Sequence, residues 1–456
     1  MAYDLLVIGS GSAAFAAGIE ARALGASVGL VERGTLGGTC VNVGCVPSKA
    51  LLAAAEAAAR ARWHPFAGVD TALRGVDLAT VVDAKDELVA GLRQAKYADV
   101  AAAHGIDLVP GTARFVDAGT VAVDGRRLSP GSVVIATGAQ PAVPAIPGLD
   151  AIDYLTSTTA MGLRALPARL VVVGAGFVGA EQAQLFAGLG SDVTLVGPLL
   201  AGAEPDLAAL LGQALRDHGI TRCGAKADRI DRAGPGIVVH CDDGTTATGD
   251  QVLIATGRMP RTGDLGLDRA GVATDATGHI TIDATMRTTS PRVFAAGDVT
   301  TGPQFVYVAA AMGRTAARNA LSGTQHSLDY EGLPHVAFTS PQLAWSGLTE
   351  AQARRLGHTV QTRTLPLAQV PRAIVARQAT GAIKLVIDAR SRRLLGAHVL
   401  ADHGGELLYP ATIAIKAGWT IDQLAGTWAP YLTMSEGLKL AAQSFTTDIT
   451  TMSCCP

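Results

Sequence analysis

Tyr3-Asp4-Leu5-Leu6-Val7-Ile8-Gly9-Ser10-Gly11-Ser12-Ala13-Ala14, residues 3–14, is an apolar run that breaks into a glycine-rich turn and then into helical spacing as far as Ala23. A second apolar run, Val28 to Val31, ends at Glu32. Strand, Gly-x-Gly-x-x-Ala turn, helix and strand, with an acid ~20 residues on, is the pattern of a dinucleotide-binding βαβ unit. Gly9 permits the tight turn, and Gly11 lets backbone N–H groups approach a pyrophosphate at the helix N-terminus; Ala14 fills the third fingerprint position. Glu32 is placed to accept from a ribose hydroxyl. A glycine turn alone also simply joins strands to helices, so the flanking pattern and the acid carry the reading.

The pattern occurs twice. Leu170 to Val173 leads into Gly174-Ala175-Gly176-Phe177-Val178-Gly179, followed by a helical stretch and the run Val193 to Val196. Gly9 to Gly174 is an offset of 165 residues (174 − 9), and the same offset carries Glu32 onto Gly197. The second site, read at Gly174, Gly176 and Gly179, has the turn without the ribose carboxylate. That carboxylate selects NAD and repels a 2′-phosphate, so its absence leans towards NADPH, although no arginine clamp stands just downstream.

Between the two fingerprints lies Gly37-Gly38-Thr39-Cys40-Val41-Asn42-Val43-Gly44-Cys45-Val46-Pro47-Ser48-Lys49. Two cysteines five residues apart at a helix start, with a lysine behind them, favour thiolate over thiol. Two buried apolar cysteines are the bland alternative. Zinc is weaker still, because no second pair stands at local zinc spacing.

With these motifs the chain resembles the pyridine nucleotide–disulfide oxidoreductases, the flavoenzyme family of glutathione reductase and dihydrolipoamide dehydrogenase, over essentially its whole length. Ala136-Thr137-Gly138 and Ala255-Thr256-Gly257 look like the strand-end motifs where that family's chain crosses between domains. Val293 to Val299 looks like the second FAD segment, in which Asp298 holds the ribityl chain. Ala113, in Pro-Gly-Thr-Ala-Arg-Phe, matches the strand whose backbone meets the adenine edge. The resemblance also assigns Thr39, Gly138 and Val306 to the flavin cofactor, and it makes Lys49 and Glu181 an ion pair beside the flavin. It implies FAD and NADPH as cofactors, Cys45 as the sulfur next to the flavin, and Cys40 as the outer sulfur reached by substrate.

The implied fold is α/β: two Rossmann-like dinucleotide-binding domains and an α+β C-terminal dimerisation domain. Residues 1–150 are expected to form the first part of the FAD domain, ending near the proline-rich stretch Pro141 to Gly148. Residues 151–258 are the NADPH domain, 259–325 the second part of the FAD domain, and 331–456 the interface domain of a homodimer. Helices are predicted over Asp77 to Ala103, Pro303 to Leu321 and Glu406 to Ala417.

The C-terminal region departs from the disulfide-reducing members, which carry a histidine acid/base in a His-Pro-Thr-x-x-Glu context. Aligning on Thr433 and Glu436 puts Tyr431 at the histidine position, and the nearest upstream histidine is His403. A phenol of pKa ~10 is a poor proton shuttle at neutral pH. The substrate is therefore expected to need thiolates and electrons but no protonated organic leaving group. Cys454 and Cys455, adjacent near the end, are too constrained for a low-strain disulfide and suit a soft metal ion. The tail and the segment Pro430 to Gln443 resemble the members of the family that act on mercuric ion, and Tyr97 matches a second tyrosine of their site.

The expected activity is reduction of thiol-bound Hg(II) to Hg(0). Cys454 and Cys455 of the partner subunit capture the ion, Cys40 and Cys45 hold it, and all four are its ligands. Two alternatives stay open: a reductase of a low-molecular-weight disulfide, and a non-catalytic mercury sequestrant that kept the flavin fold.

Composition narrows the rest. A chain of 456 residues should hold about three domains. With 37 basic against 39 acidic residues, there is no general pull towards nucleic acid or an anionic membrane. No apolar run reaches ~18 residues, so no membrane span is expected. The N-terminus enters a strand by Tyr3, without a signal-peptide pattern or a preceding metal-binding module, which leaves delivery to the tail and small thiols. Six cysteines in a chain this long suggest functional sulfurs in a reducing cytoplasm rather than a disulfide scaffold, and Cys223 and Cys241 read as structural.

Overall fold

The computed structural model describes residues 3–451. Its first sheet is five-stranded and parallel, in the order Val293–Ala295, Ser132–Ile135, Leu5–Ile8, Val28–Glu32, Asp107–Pro110. Its second has the order Tyr154–Thr156, Gln251–Ile254, Arg169–Val173, Asp192–Val196, Thr221–Cys223, also all parallel. In each the fingerprint strand is central and buried, apart from the exposed Arg169 that opens the second, as a parallel sheet covered on both faces requires. In each, a three-stranded antiparallel sheet is inserted before the strand that pairs with the fingerprint strand on its other side: Ala113–Asp117, Thr120–Val123, Arg126–Leu128 in the first unit, and Ala227–Ala233, Gly236–Cys241, Thr246–Gly249 in the second. The duplication read from two glycine turns thus extends to whole units.

The glycine requirement is visible at the turns. Gly9 has φ +110, and a Cβ there would lie 2.3 Å from the carbonyl oxygen of Ala136; Gly174 has φ +103, and a Cβ there would lie 2.4 Å from that of Ala255. Both contacts are far inside van der Waals separation, so each turn closes on its neighbouring strand only without a side chain.

The third sheet is antiparallel and five-stranded: Pro334–Ala337, Gln342–Gly347, Leu394–Ala401, Ala382–Asp388, Val360–Pro366. Helices Gly404–Lys416, Ile421–Gly426 and Glu436–Gln443 cover it and share one apolar core with it. The fold class is therefore the expected α/β with an α+β C-terminal unit.

Local differences from the sequence reading have physical causes. The first strand begins at Leu5, because Asp4 turns its carboxylate to Ser27. The stretch read as a connector at Pro141 opens as a strand, Ala139–Pro141, paired antiparallel with Arg258–Pro260. The helix predicted over Asp77 to Ala103 is Leu78–Arg93 and Asp99–His104 joined by a π-turn at Gln94–Ala98. No helix among the described residues is long and apolar enough to cross a membrane.

Candidate active site

The two cysteines of the Cys-x-x-x-x-Cys stretch sit on two consecutive helices. Cys40 lies within Gly38–Val43; Gly44 breaks the chain direction, and Cys45 opens Cys45–Arg62 as its first residue. That longer helix has no side-chain cap, so its free N–H groups lie beside the sulfur of Cys45. The loop before it is held from the first fingerprint: Ser10 Oγ donates to Glu32 Oε2 at 2.5 Å and accepts from the N–H of Gly37 at 3.0 Å. Asn42, between the cysteines, donates to the carbonyls of Leu36 and Gly38 and accepts from Arg93 at 3.0 Å. A Cβ on Gly38 would come within 2.6 Å of Gly11 Cα, so the cysteine loop lies directly on the pyrophosphate turn.

The sulfurs are unequal. Cys45 is exposed, and its thiol is pulled down to about 7, first by the hydrogen bond with Cys40 and further by the Lys49 ammonium. The same hydrogen bond, with burial added, pushes the half-buried Cys40 thiol far up. One thiolate next to one thiol is the ordering expected of a redox pair. Lys49 Nζ lies 2.6 Å from Glu181 Oε2 and 4.4 Å from the centroid of the Phe338 ring. Glu181 is buried, and its other oxygen accepts from the N–H of Phe338 at 3.0 Å. Helix Cys45–Arg62 reaches Glu181 by packing on helix Phe177–Leu189, where Gly188 lets Ala55 approach.

Tyr97 rides on the π-turn, half-buried, with its ring edge-on to Phe15 at 4.9 Å. Burial raises its phenol, and the nearby Cys40 adds to the shift. Tyr431 belongs to the C-terminal unit; it is exposed, and Glu436 behind it accepts from the N–H of Leu432 at 3.3 Å. Cys454 and Cys455 lie outside the described residues.

The residues fit the two nucleotides. Helix Ser12–Ala23 starts at Gly11 without a side-chain cap, leaving its first-turn N–H groups for an anion. Ala113 is buried at the start of its strand, and Thr39 stands beside Cys40 on the short helix. Gly138 sits at φ +66, and Val306 opens helix Val306–Ser322 with its side chain exposed. Asp298 has Arg258 at 3.6 Å, and burial holds its carboxyl above the usual range. In the second unit Gly176 caps helix Phe177–Leu189, and a Cβ there would meet nothing within 4 Å.

Sequence reasoning missed Arg222. Its Nη2 donates to the carbonyl of Gly197 at 3.3 Å, while its Nε is buried without a hydrogen-bond partner. Arg222 stands on the next strand of the sheet, a neighbour of Gly197 in space rather than in sequence.

The family model described as pyridine nucleotide-disulphide oxidoreductase matches residues 3–313, and that of the family's dimerisation domain matches residues 333–442. The chain belongs to the pyridine nucleotide-disulphide oxidoreductases. Among family members it is 50% identical to a mercuric reductase of Streptomyces lividans, over 99% of this chain and 98% of that protein. It is 45% identical to a mercuric reductase of Staphylococcus aureus, over 99% of this chain and 84% of that one. Among solved family structures, the Cu(II) complex of the HOCl-induced flavoprotein disulfide reductase RclA from Escherichia coli superposes with a TM-score of 0.88 at 30% identity, covering 98% of this chain and 100% of that one.

Proposed function

We propose that this chain is an NADPH- and FAD-dependent reductase that converts thiol-bound Hg(II) to Hg(0), acting as a homodimer in the cytoplasm. The observation that carries the reading is the unequal Cys40–Cys45 pair backed by Lys49 and Glu181, in a chain that has Tyr431 where disulfide-reducing relatives keep a histidine acid. Likeness to mercuric reductases along the whole chain supports the choice of ion. The domain division into residues 1–150, 151–258, 259–325 and 331–456 belongs to the same reading, supported by strand Val293–Ala295 returning to complete the first sheet.

FAD, when bound, takes hydride from NADPH and passes electron pairs to the cysteine pair or to its bound ion. The protein supplies the rest. Gly9, Gly11, Ala14, Glu32, Thr39, Ala113, Gly138, Asp298 and Val306 seat FAD, and Gly174, Gly176 and Gly179 seat NADPH with Arg222 towards its 2′-phosphate. Lys49, fixed by Glu181, keeps Cys45 as thiolate. Cys454 and Cys455 of the partner subunit take Hg(II) from a small thiol by ligand exchange. Cys40 and Cys45 then displace those ligands by exchange, the Cys40 thiol giving up its proton as it binds the ion. Two electrons reduce the ion, both Hg–S bonds break, and the thiols are regenerated. NADPH and Hg(II) thus yield NADP⁺, one proton and Hg(0), with no leaving thiolate that requires an acid. Tyr97 and Tyr431 line the transfer path.

Steady-state turnover with two oxidants tests this reading. NADPH oxidation should be fast with Hg(II) in excess glutathione and very slow with glutathione disulfide, because the missing acid is worth ~10²–10⁴ in rate. Efficient reduction of the organic disulfide would instead support the low-molecular-weight disulfide reading.

A further inference from the structure

Cys223 and Cys241, 18 residues apart in sequence, meet in the second unit. Cys223 ends the edge strand Thr221–Cys223 of the parallel sheet, and Cys241 ends Gly236–Cys241 of the inserted antiparallel sheet. Their sulfurs are 3.1 Å apart, and both are free thiols. Thr245 Oγ1 lies 3.0 Å from the sulfur of Cys223 and donates to Asp243 Oδ1 at 2.6 Å. The two sulfurs and a carboxylate oxygen of Asp243 all lie within 4.8 Å of one another. Cys241 is buried, Cys223 half-buried and Asp243 exposed, so the cluster has a closed sulfur side and an open carboxylate side.

We propose that Cys223, Cys241 and Asp243 form a binding site for a thiophilic divalent d¹⁰ cation, of the class of Zn(II), Cd(II) and Hg(II), distinct from the Cys40–Cys45 pair. Two sulfurs on one tetrahedral ion at ~2.3 Å stand about 3.8 Å apart, so the pair must open by about 0.7 Å, which rotation of the half-buried Cys223 provides. The carboxylate, with an oxygen within 4.8 Å of both sulfurs, supplies a third donor, and a water or exogenous thiol fills the fourth position through the open side. Thr245 orients Asp243, the outer partner such sites require. The site does not depend on mercury being the substrate, because donor set and spacing serve any ion of this class.

Cd(II), which the enzyme's electrons do not reduce, is the probe. Full-length FAD-loaded protein carrying Cys40→Ala, Cys45→Ala, Cys454→Ala and Cys455→Ala, kept reduced with a phosphine, is dialysed against Cd(II). Bound metal is measured by mass spectrometry and by thiolate-to-metal ultraviolet absorption. One Cd(II) per subunit with a thiolate band is expected. Adding Cys223→Ser, at the half-buried position and with FAD content as the folding check, should abolish the band and weaken binding at least tenfold. Asp243→Asn should weaken binding while keeping the band. No bound Cd(II) in the first variant, equal binding after Cys223→Ser, or a mass two hydrogens lower that marks a Cys223–Cys241 disulfide under reducing conditions would each overturn the site.

Discussion

Cys45 and Lys49 are one helical turn apart, and the lysine ammonium adds to the hydrogen bond from Cys40, the larger cause, in drawing the Cys45 thiol down to about 7. In reduced protein, the rate of alkylation at Cys45 should rise with pH through about 7 and then level off, because the reactive thiolate form grows as pH passes the lowered pKa. Lys49→Met should move that midpoint upward, whereas Cys40 stays unreactive across the same range. Peptide mapping of the alkylated residue against pH makes the measurement. Arg222 carries the second residue-scale claim. Arg222→Met should raise KM for NADPH about tenfold, ~1.4 kcal/mol in binding, and leave KM for NADH nearly unchanged. An equal loss with both nucleotides would mean that Arg222 only braces Gly197. The cysteine motif, Lys49 and Glu181 were legible in the chain because each is part of a local pattern or a resemblance. Arg222 was not, since adjacent parallel strands bring together residues 25 apart with no spacing rule to announce it.

At the scale of elements, the two fingerprint turns do the same mechanical work in different units. Gly174→Ala forces a Cβ to within 2.4 Å of the Ala255 carbonyl at a φ of +103, strain of about 1–3 kcal/mol that must be relieved by opening the turn. The variant should keep a full complement of FAD and lose about tenfold or more in kcat/KM for NADPH. Loss of FAD would show that the two units are not separable in this way. Strands with strong apolar runs were readable to within a residue or two, as at Val193 to Val196 against the observed Asp192–Val196, whereas the helix expected from Pro303 starts only at Val306. The π-turn at Gln94–Ala98 was not, because its residues carry ordinary helical propensities and the extra residue per turn answers to packing of Tyr97 on Phe15. The meeting of Cys223 with Cys241 was equally hidden, because it depends on how an inserted sheet docks on a parallel one.

Over the whole molecule, the C-terminal unit is joined to the second dinucleotide unit by a buried ion cluster. Lys384, from the third sheet, reaches Glu204 at 2.8 Å and Asp206 at 3.2 Å, both at the start of helix Pro205–Asp217. Lys384→Met leaves Glu204 buried without its partner and should cost about 3–5 kcal/mol in denaturant unfolding. The double variant Lys384→Met/Glu204→Gln should recover most of that loss, since it removes the uncompensated charge. This docking holds the C-terminal unit, and with it Tyr431, in a fixed relation to the rest of its own subunit. The architecture was legible because two fingerprints and a cysteine motif in a set order resemble one family; the placement of the last residues relative to a partner was inferred from that resemblance alone. The central claim is that electrons from NADPH end on mercury. The most direct measurement supplies the purified holoenzyme with NADPH and Hg(II) in excess glutathione under a gas stream, trapping elemental mercury while NADPH is followed by absorbance. One Hg(0) is expected per NADPH oxidised, and its release is abolished in Cys40→Ala or Cys45→Ala with FAD retained. NADPH consumption without volatile mercury, or mercury held by the protein without NADPH consumption, would contradict it.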